Sequence, residues 1–251
     1  MKLLSALRNF IMPPLCPGCH DCFNVKYGGR NEMCSECGVK WAAARATLCP
    51  LCNEPYHSCR CADKGLSRAG AVAHVKLVPY SASGGIGNRV VHYVKRKRDA
   101  RVFAMLGREL AYEIQQYHRA LGLRLEDSLI TYSPRRRRAV NEVGFDQAKL
   151  LAAAVSRESG IPLIPMISRT RIANRAQKKL GAAQRAKNAH GAFRLKDGTP
   201  LKGRTVFVVD DLITTGATVG EAVRLLKKGG AAMCVAVSVA YTEKETKKET
   251  D

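Results

Sequence analysis

An apolar run that passes through two carboxylates into a threonine- and glycine-rich loop constrains the fold of this 251-residue chain more than any other feature. Residues 206–209 are apolar and mostly Val, which is typical of a strand buried in a parallel sheet. Residues 219–228 follow with apolar positions on one helical face, and a second apolar run occupies residues 232–240. Strand, loop, helix and strand in this order predict an α/β fold with a mostly parallel sheet.

The loop between this strand and this helix is predicted to bind an anion. Loop and helix N-terminal N–H groups point above the sheet, threonine hydroxyls add donors, and glycine permits close backbone approach. The candidate phosphate contacts are Thr214, Thr215, Gly216, Ala217 and Thr218. Asp210 and Asp211, which close the predicted strand, are suited to ribose hydroxyls or to hydrated Mg²⁺. Together these residues predict a site for a ribose phosphate.

The polar residues of this stretch argue against simpler loops and against two familiar nucleotide-binding loops. An ordinary strand-to-helix turn would not need two aspartates and three threonines around one glycine. No Lys follows the glycine, so a Walker A loop is excluded, and the dinucleotide-binding glycine pattern is absent.

Nine of the ten cysteines lie between Cys16 and Cys61, and eight of them form close pairs. This spacing favours Zn²⁺ over disulfides, because two nearby thiolates in one turn can bind the same ion. The zinc would be structural and not catalytic, because four thiolate ligands leave no open coordination position. We expect two Cys₄ sites from sequential pairing, although interleaved pairing is an alternative, and Cys22 or His57 could replace a ligand. The expected ligands are Cys16, Cys19, Cys34 and Cys37 at the first site, and Cys49, Cys52, Cys59 and Cys61 at the second.

The charge balance predicts a polyanionic partner. The chain has 42 Lys and Arg against 21 Asp and Glu, a formal net charge of +21. Basic residues concentrate in segments 95–98, 135–138 and 169–187, although each could also be a solvated surface. Only 6% of residues are aromatic, so few bases could stack on the protein. No apolar run is long enough to span a membrane and no signal-peptide pattern precedes the cysteines, so we expect a cytoplasmic protein.

The remaining pattern predicts a strand at 69–79, helices at 88–97 and 100–120, and a strand at 128–133. A helix from 141 to 158 and an edge strand at 161–167 follow. Residues 1–12 are predicted to form a short amphipathic helix, residues 63–68 a polar hinge, and residues 242–251 a disordered charged tail.

The residues Val-Val-Asp-Asp-Leu-Ile-Thr-Thr-Gly-Ala-Thr at 208–218 resemble the phosphoribosyl pyrophosphate (PRPP) loop of type I phosphoribosyltransferases. With the cysteine pairs and a pattern running from Ser168-Arg-Thr-Arg through Gln177 and Arg185 to Phe193, the chain resembles the ComF family (ComFC and GntX-like proteins). The resemblance implies an N-terminal segment with a double zinc ribbon at 1–65, a phosphoribosyltransferase-type domain at 66–241, and a tail at 242–251.

The resemblance also implies roles for particular residues. Asp210 and Asp211 would be catalytic, and Arg135, Arg138 and Lys95 would bind pyrophosphate. Residues 169–187 correspond to a flap over the active site.

Two functions follow from the resemblance. One is binding of Mg-PRPP, with handling of single-stranded DNA beside the uptake machinery of natural transformation. The alternative is an active phosphoribosyltransferase that moves ribose 5-phosphate from PRPP to a base that the sequence does not identify. The chain departs from the family at Val143, where Arg is usual, at Asp146, where Asn is usual, and in the single residue between Cys59 and Cys61.

Overall fold

The computed structural model describes residues 14–23, 32–170 and 191–242. The predictions for residues 1–12, for the basic segment from 171 onward and for the tail beyond 242 lie outside these ranges. None of the helices in these ranges is long and apolar enough to cross a membrane.

A four-stranded parallel sheet forms the centre of the fold, with the strand order β1-β6-β5-β2. A separate antiparallel pair, β3 and β4, lies apart from it. The strands are β1 Ala73–Pro79, β2 Ser128–Tyr132, β3 Ile167–Arg169, β4 Phe193–Leu195, β5 Thr205–Ile213 and β6 Met233–Tyr241.

Helices connect the strands and cover the sheet. They are α1 Ser35–Ala46, α2 Lys64–Arg68, α3 Ile86–Val94, α4 Ala100–Leu121, α5 Arg137–Val143, α6 Gln147–Ser159 and α7 Ala217–Lys228, with a 3₁₀ turn at Leu125–Asp127. The predicted α/β architecture with a mostly parallel sheet is confirmed.

The strand β5 is buried on both faces, which explains its unbroken apolar run. Val206 and Val208 pack in the core beside α7, whereas Phe207 and Val209 pack in the core beside α3, α4 and α6. All four side chains are fully buried. Each such side chain stabilises the fold by about 1.5–3 kcal/mol relative to an exposed one.

Several elements differ from the sequence prediction. The predicted polar hinge at 63–68 contains the helix α2, whose Leu66 is fully buried in the core. The strand β5 continues through Asp210 to Ile213, because these residues still pair with β6. The predicted helix at 141–158 is two helices, α5 and α6, separated by Gly144 in the left-handed conformation (φ 87°). Most of the predicted strand at 161–167 is an extended segment that shares only an isolated bridge and a few hydrogen bonds with β2.

The cysteine-rich front of the chain is packed against the sheet domain. Cys16, Cys37 and Trp41 belong to the same core cluster as α3 and α4. The indole Nε1 of Trp41 donates to both carboxylate oxygens of Glu109 on α4, at 3.1 and 3.0 Å. Glu113, one turn further along α4, is buried and pairs with Arg45 and Arg60. Polar and apolar contacts therefore both join the two parts.

We predict that Gly107→Ala destabilises the protein, because α4 and α6 cross closely at this glycine. An added Cβ would lie 2.6 Å from Cβ of Ala154 and 2.8 Å from its carbonyl carbon. The expected loss in the free energy of unfolding is about 1–3 kcal/mol, measured by urea denaturation. Gly38→Ala is the control, since an added Cβ there has no neighbour within 4 Å. Equal stability of the two variants would contradict this account of the helix crossing.

Candidate functional site

The candidate phosphate loop lies between β5 and α7. Gly216 is the N-cap of α7 and has the left-handed φ of 70°. Thr214, Thr215, Ala217 and Thr218 are partly exposed, and the N–H of Ala217 donates weakly to Oγ1 of Thr215 at 3.5 Å. Since the N–H groups in the first turn of a helix have no intrahelical acceptor, this end of α7 can receive an anion.

Asp210 is the partly exposed carboxylate of the aspartate pair. Its Oδ1 accepts a hydrogen bond from the N–H of Asp211 at 2.8 Å. Desolvation by the surrounding protein, followed by the negative charge of Asp211, raises the pKa of Asp210 well above its usual value. A cation or a hydroxyl donor beside Asp210 would relieve this unfavourable environment.

Asp211 lies in a different environment, because successive side chains of a strand point to opposite faces. It is 4% exposed, and its Oδ2 lies 3.5 Å from Nζ of Lys95, the residue that follows α3. The sequence predicts that both aspartates end the strand beside the ligand. In the structure Asp210 is accessible, whereas Asp211 is buried and paired with Lys95.

Arg135 contacts the backbone of Lys95, so two of the residues predicted to bind pyrophosphate are neighbours. Its Nη1 donates to the carbonyl of Lys95 at 3.4 Å and to Oε1 of Gln147 at 2.8 Å. Its backbone N–H donates to Oδ2 of Asp146 at 2.9 Å. Asp146, which stands where the resemblance leads us to expect Asn, also caps α6. It therefore fixes the start of the arginine segment at residues 135–138.

Arg138 has a different placement. It lies on α5 with a side chain that is 81% exposed, and it pairs with Glu142 one turn later. The structure therefore joins Lys95 and Arg135 but gives Arg138 no described contact with them.

Arg169 on β3 lies near the candidate site, although the sequence analysis names it only as one member of a basic segment. Its Nε donates to the carbonyl of Pro134 at 2.6 Å, and its guanidinium lies 4.6 Å from the ring centre of Phe193. Burial and the charge of Arg136 lower the pKa of Arg169, while the charges of Asp210 and Asp146 act in the opposite direction. Arg169 therefore holds the start of the arginine segment and contributes positive charge near Asp210. The signal in the sequence that could have identified Arg169 is that Arg169 and Phe193 both belong to the ComF-like pattern of residues 168–193.

The eight paired cysteines form two groups in sequential order. The sulfurs within each group lie within 4.8 Å of one another: Cys16, Cys19, Cys34 and Cys37 form one group, and Cys49, Cys52, Cys59 and Cys61 form the other. Cys16 and Cys34 sulfurs are 3.7 Å apart, and those of Cys19 and Cys34 are 3.9 Å apart. Four sulfurs at 2.3 Å around a tetrahedral zinc ion would be separated by about 3.8 Å. The alternative ligands lie elsewhere: Cys22 is exposed, and Nδ1 of His57 is 2.9 Å from the carbonyl of Arg45.

Backbone donors favour a thiolate at Cys16, whereas burial and the neighbouring sulfurs raise the pKa of Cys37 in the same group. The N–H groups of Gly18 and Cys34 each lie 3.4 Å from the sulfur of Cys16. Although burial acts against it, donation from the backbone lowers the pKa of Cys16 to about 7. At the second group, Nζ of the buried Lys76 lies 3.2 Å from the sulfur of Cys59 and 3.0 Å from the carbonyl of Cys61. A buried ammonium group is costly without an anionic partner, so this geometry fits a negatively charged tetrathiolate zinc centre.

Comparison with known proteins places these features in a family. Residues 148–251 match the family model described as phosphoribosyl transferase domain. The chain is 34% identical to the DNA utilization protein YhgH of Escherichia coli O157:H7 over 227 residues, covering 88% of this chain and 94% of the relative. It is 39% identical over 90 residues to competence protein F of Haemophilus influenzae, covering 35% of this chain and 38% of that protein.

The fold also has neighbours among solved structures. The purine phosphoribosyltransferase of Pyrococcus horikoshii aligns with 20% identity and a TM-score of 0.31, covering 56% of this chain and 83% of that one. Three findings point to the same family: the near full-length similarity to YhgH, the match to the phosphoribosyl transferase domain, and the two cysteine groups. The chain belongs to the ComF family, together with the DNA utilization protein YhgH and competence protein F.

Proposed function

We propose that this protein binds Mg-PRPP or another ribose phosphate at the end of β5, and binds single-stranded DNA during DNA uptake. The observation that carries the first part is the placement of Asp210. This partly exposed aspartate with a raised pKa lies on β5 four residues before the threonine loop, which leads into the N-terminus of α7.

Each group has a role in this proposal. The loop from Thr214 to Thr218 binds the 5′-phosphate through backbone N–H groups and hydroxyls. Asp210 accepts hydrogen bonds from the ribose hydroxyls. The buried Asp211 holds Lys95 in place beside Arg135, so both cations face the pyrophosphate group. Arg138 joins the pyrophosphate only if its exposed side chain leaves Glu142.

Magnesium fits the site because Asp210 is an oxygen ligand whose ionised form remains unfavourable despite the nearby charges of Lys95 and Arg169. Bound together with PRPP, the ion would neutralise pyrophosphate charge. Asp210 and Arg135 would then fix the orientation of the ribose and of the leaving group. Transfer of the ribose phosphate to a base is the second candidate function, and it is favoured by the match to the phosphoribosyl transferase domain.

The proposed DNA function rests on the relatives and on charge. One relative is named a DNA utilization protein and another a competence protein. The net charge of +21 and the exposed residues Arg136 and Arg137 suit a phosphate backbone. In this proposal the protein acts in the cytoplasm, next to the DNA-uptake machinery, and its zinc ribbons are structural.

We predict that PRPP with Mg²⁺ raises the melting temperature of the protein by about 5–10 °C at a ligand concentration near 100 times Kd. Asp210→Asn should abolish most of this shift, because the neutral amide does not bind Mg²⁺ or accept two ribose hydrogen bonds. Differential scanning fluorimetry measures both effects, and Asp197→Asn is the control at an exposed aspartate. An equal shift in Asp210→Asn and the wild type would remove the ribose assignment. Pyrophosphate release measured across a panel of bases separates binding from turnover.

We predict that binding of single-stranded DNA weakens steeply as salt concentration rises, because each contacted phosphate releases counterions. The double substitution of Arg136 and Arg137 by Gln should reduce the slope of log K against log salt by about 1.4. The same substitutions at the exposed Lys196 and Lys228 are the control. Fluorescence anisotropy titrations measure the slopes, and salt-insensitive binding would count against the DNA function.

We predict that the purified protein contains two zinc ions per chain. Lys76→Met should weaken zinc binding at the second cysteine group by about tenfold or more, because the buried charge beside Cys59 is lost. Elemental analysis and competition with a chromogenic chelator measure the content and the affinity. Lys64→Met, at an exposed lysine, is the control. A folded protein without metal would refute the zinc assignment.

A further inference from the structure

The segment between the second cysteine group and β1 reaches the candidate phosphate loop. Asp63 lies two residues after Cys61 and is 8% exposed. Its Oδ1 caps α2 by accepting from the N–H of Leu66 at 2.7 Å. Its Oδ2 is buried and has no hydrogen-bond partner within the ranges that the structure describes.

Two glycines allow this segment and the loop to touch. A Cβ added to Gly216 would lie 2.9 Å from Oδ1 and 3.3 Å from Oδ2 of Asp63. A Cβ added to Gly65 would lie 2.8 Å from the carbonyl oxygen of Thr215. The contact is therefore reciprocal: Gly216 of the loop faces the carboxylate of Asp63, and Gly65 of α2 faces the loop backbone.

The segment then follows α7 along its length. Leu66 is fully buried in the core cluster that contains Val219 and Ala222 of α7. A Cβ added to Gly220 would lie 3.3 Å from Cβ of Ala69, and one added to Gly70 would lie 3.2 Å from Cγ of Lys227. This packing fixes the position of the segment relative to the helix that begins at the loop.

The start of the segment is held at the second cysteine group. The carbonyl of Cys61 accepts from Nζ of Lys76, and the carbonyl of Arg60 accepts from the N–H of His74 at 3.1 Å. Only Ala62 separates this anchored end from Asp63. The second cysteine group, Asp63 and the loop thus form one continuous chain of contacts.

We propose that residues 62–68 are a positioning element, which makes the conformation of Thr215 and Gly216 depend on an intact second cysteine centre. This proposal depends on the proposed function only where it predicts a change in ligand affinity. Its effect on the loop itself does not require a ligand. A displacement of the loop by about 1 Å would be enough to lower binding strongly.

The first test compares Gly65→Ala with Ser67→Ala, an exposed position on the same helix. In the ligand-free full-length protein, Gly65→Ala should raise hydrogen–deuterium exchange of the amides at 214–219, since the added Cβ displaces Thr215. Its Kd for PRPP with Mg²⁺ should rise about tenfold, with zinc content unchanged. Ser67→Ala should match the wild type. Exchange at 214–219 that does not differ between the two variants overturns the proposal.

The second test covers the case in which Gly65→Ala folds poorly. Cys52→Ser disrupts the second centre at its exposed ligand, and Cys19→Ser disrupts the first centre. Only Cys52→Ser should increase exchange at 214–219, while equal increases in both variants would contradict the proposal. Because exchange is read without ligand, absence of PRPP binding by the wild type would refute the proposed function without deciding this inference.

Discussion

Burial of β5 on both faces is the constraint on which the candidate site depends. The strand is fixed between two layers of helices, so the two aspartates within its last four residues must point to opposite faces of the sheet. Asp211 is directed into the interior, where it requires Lys95, and Asp210 is left accessible with a raised pKa. Two adjacent and chemically identical residues therefore lie in different environments. One is buried and pairs with a cation, and the other is partly exposed.

Two buried charges, those of Lys76 and Glu113, are matched by groups from the cysteine-rich front of the chain. Lys76 lies against the thiolates of the second cysteine group, and Glu113 lies between Arg45 and Arg60. Lys76 is also the register partner of Ser238, which is in turn the partner of Asp210. Polar residues therefore run across three strands from the second cysteine group to the site. Such pairs add little net stability, but removing one partner leaves an uncompensated charge in the interior.

The sequence predicted the architecture and the two cysteine groups because periodicity and cysteine spacing are local signals, and it singled out the aspartate pair as the candidate site. It could not predict that Asp211 is buried, because this depends on how far β5 continues its pairing with β6. It could not separate Arg135 from Arg138, since only the start of α5 at Arg137 directs them differently. The contact between Asp63 and Gly216 joins residues more than 150 positions apart in the sequence, and no local pattern encodes it. Sequential pairing of the cysteines, in contrast, is the expectation from the sequence that the two observed groups confirm.

Contacts from Trp41, Arg45 and Arg60 to α4 make the two parts of the chain depend on each other. A shortened chain that began after the cysteines would retain Glu109 and Glu113 on α4 without the indole and guanidinium groups that now contact them. It would also retain Lys76 on β1 without the sulfur that now lies beside its ammonium group. The sheet domain is thus not an independent unit, because removal of the cysteine-rich front would leave three buried or half-buried charged groups without their present partners.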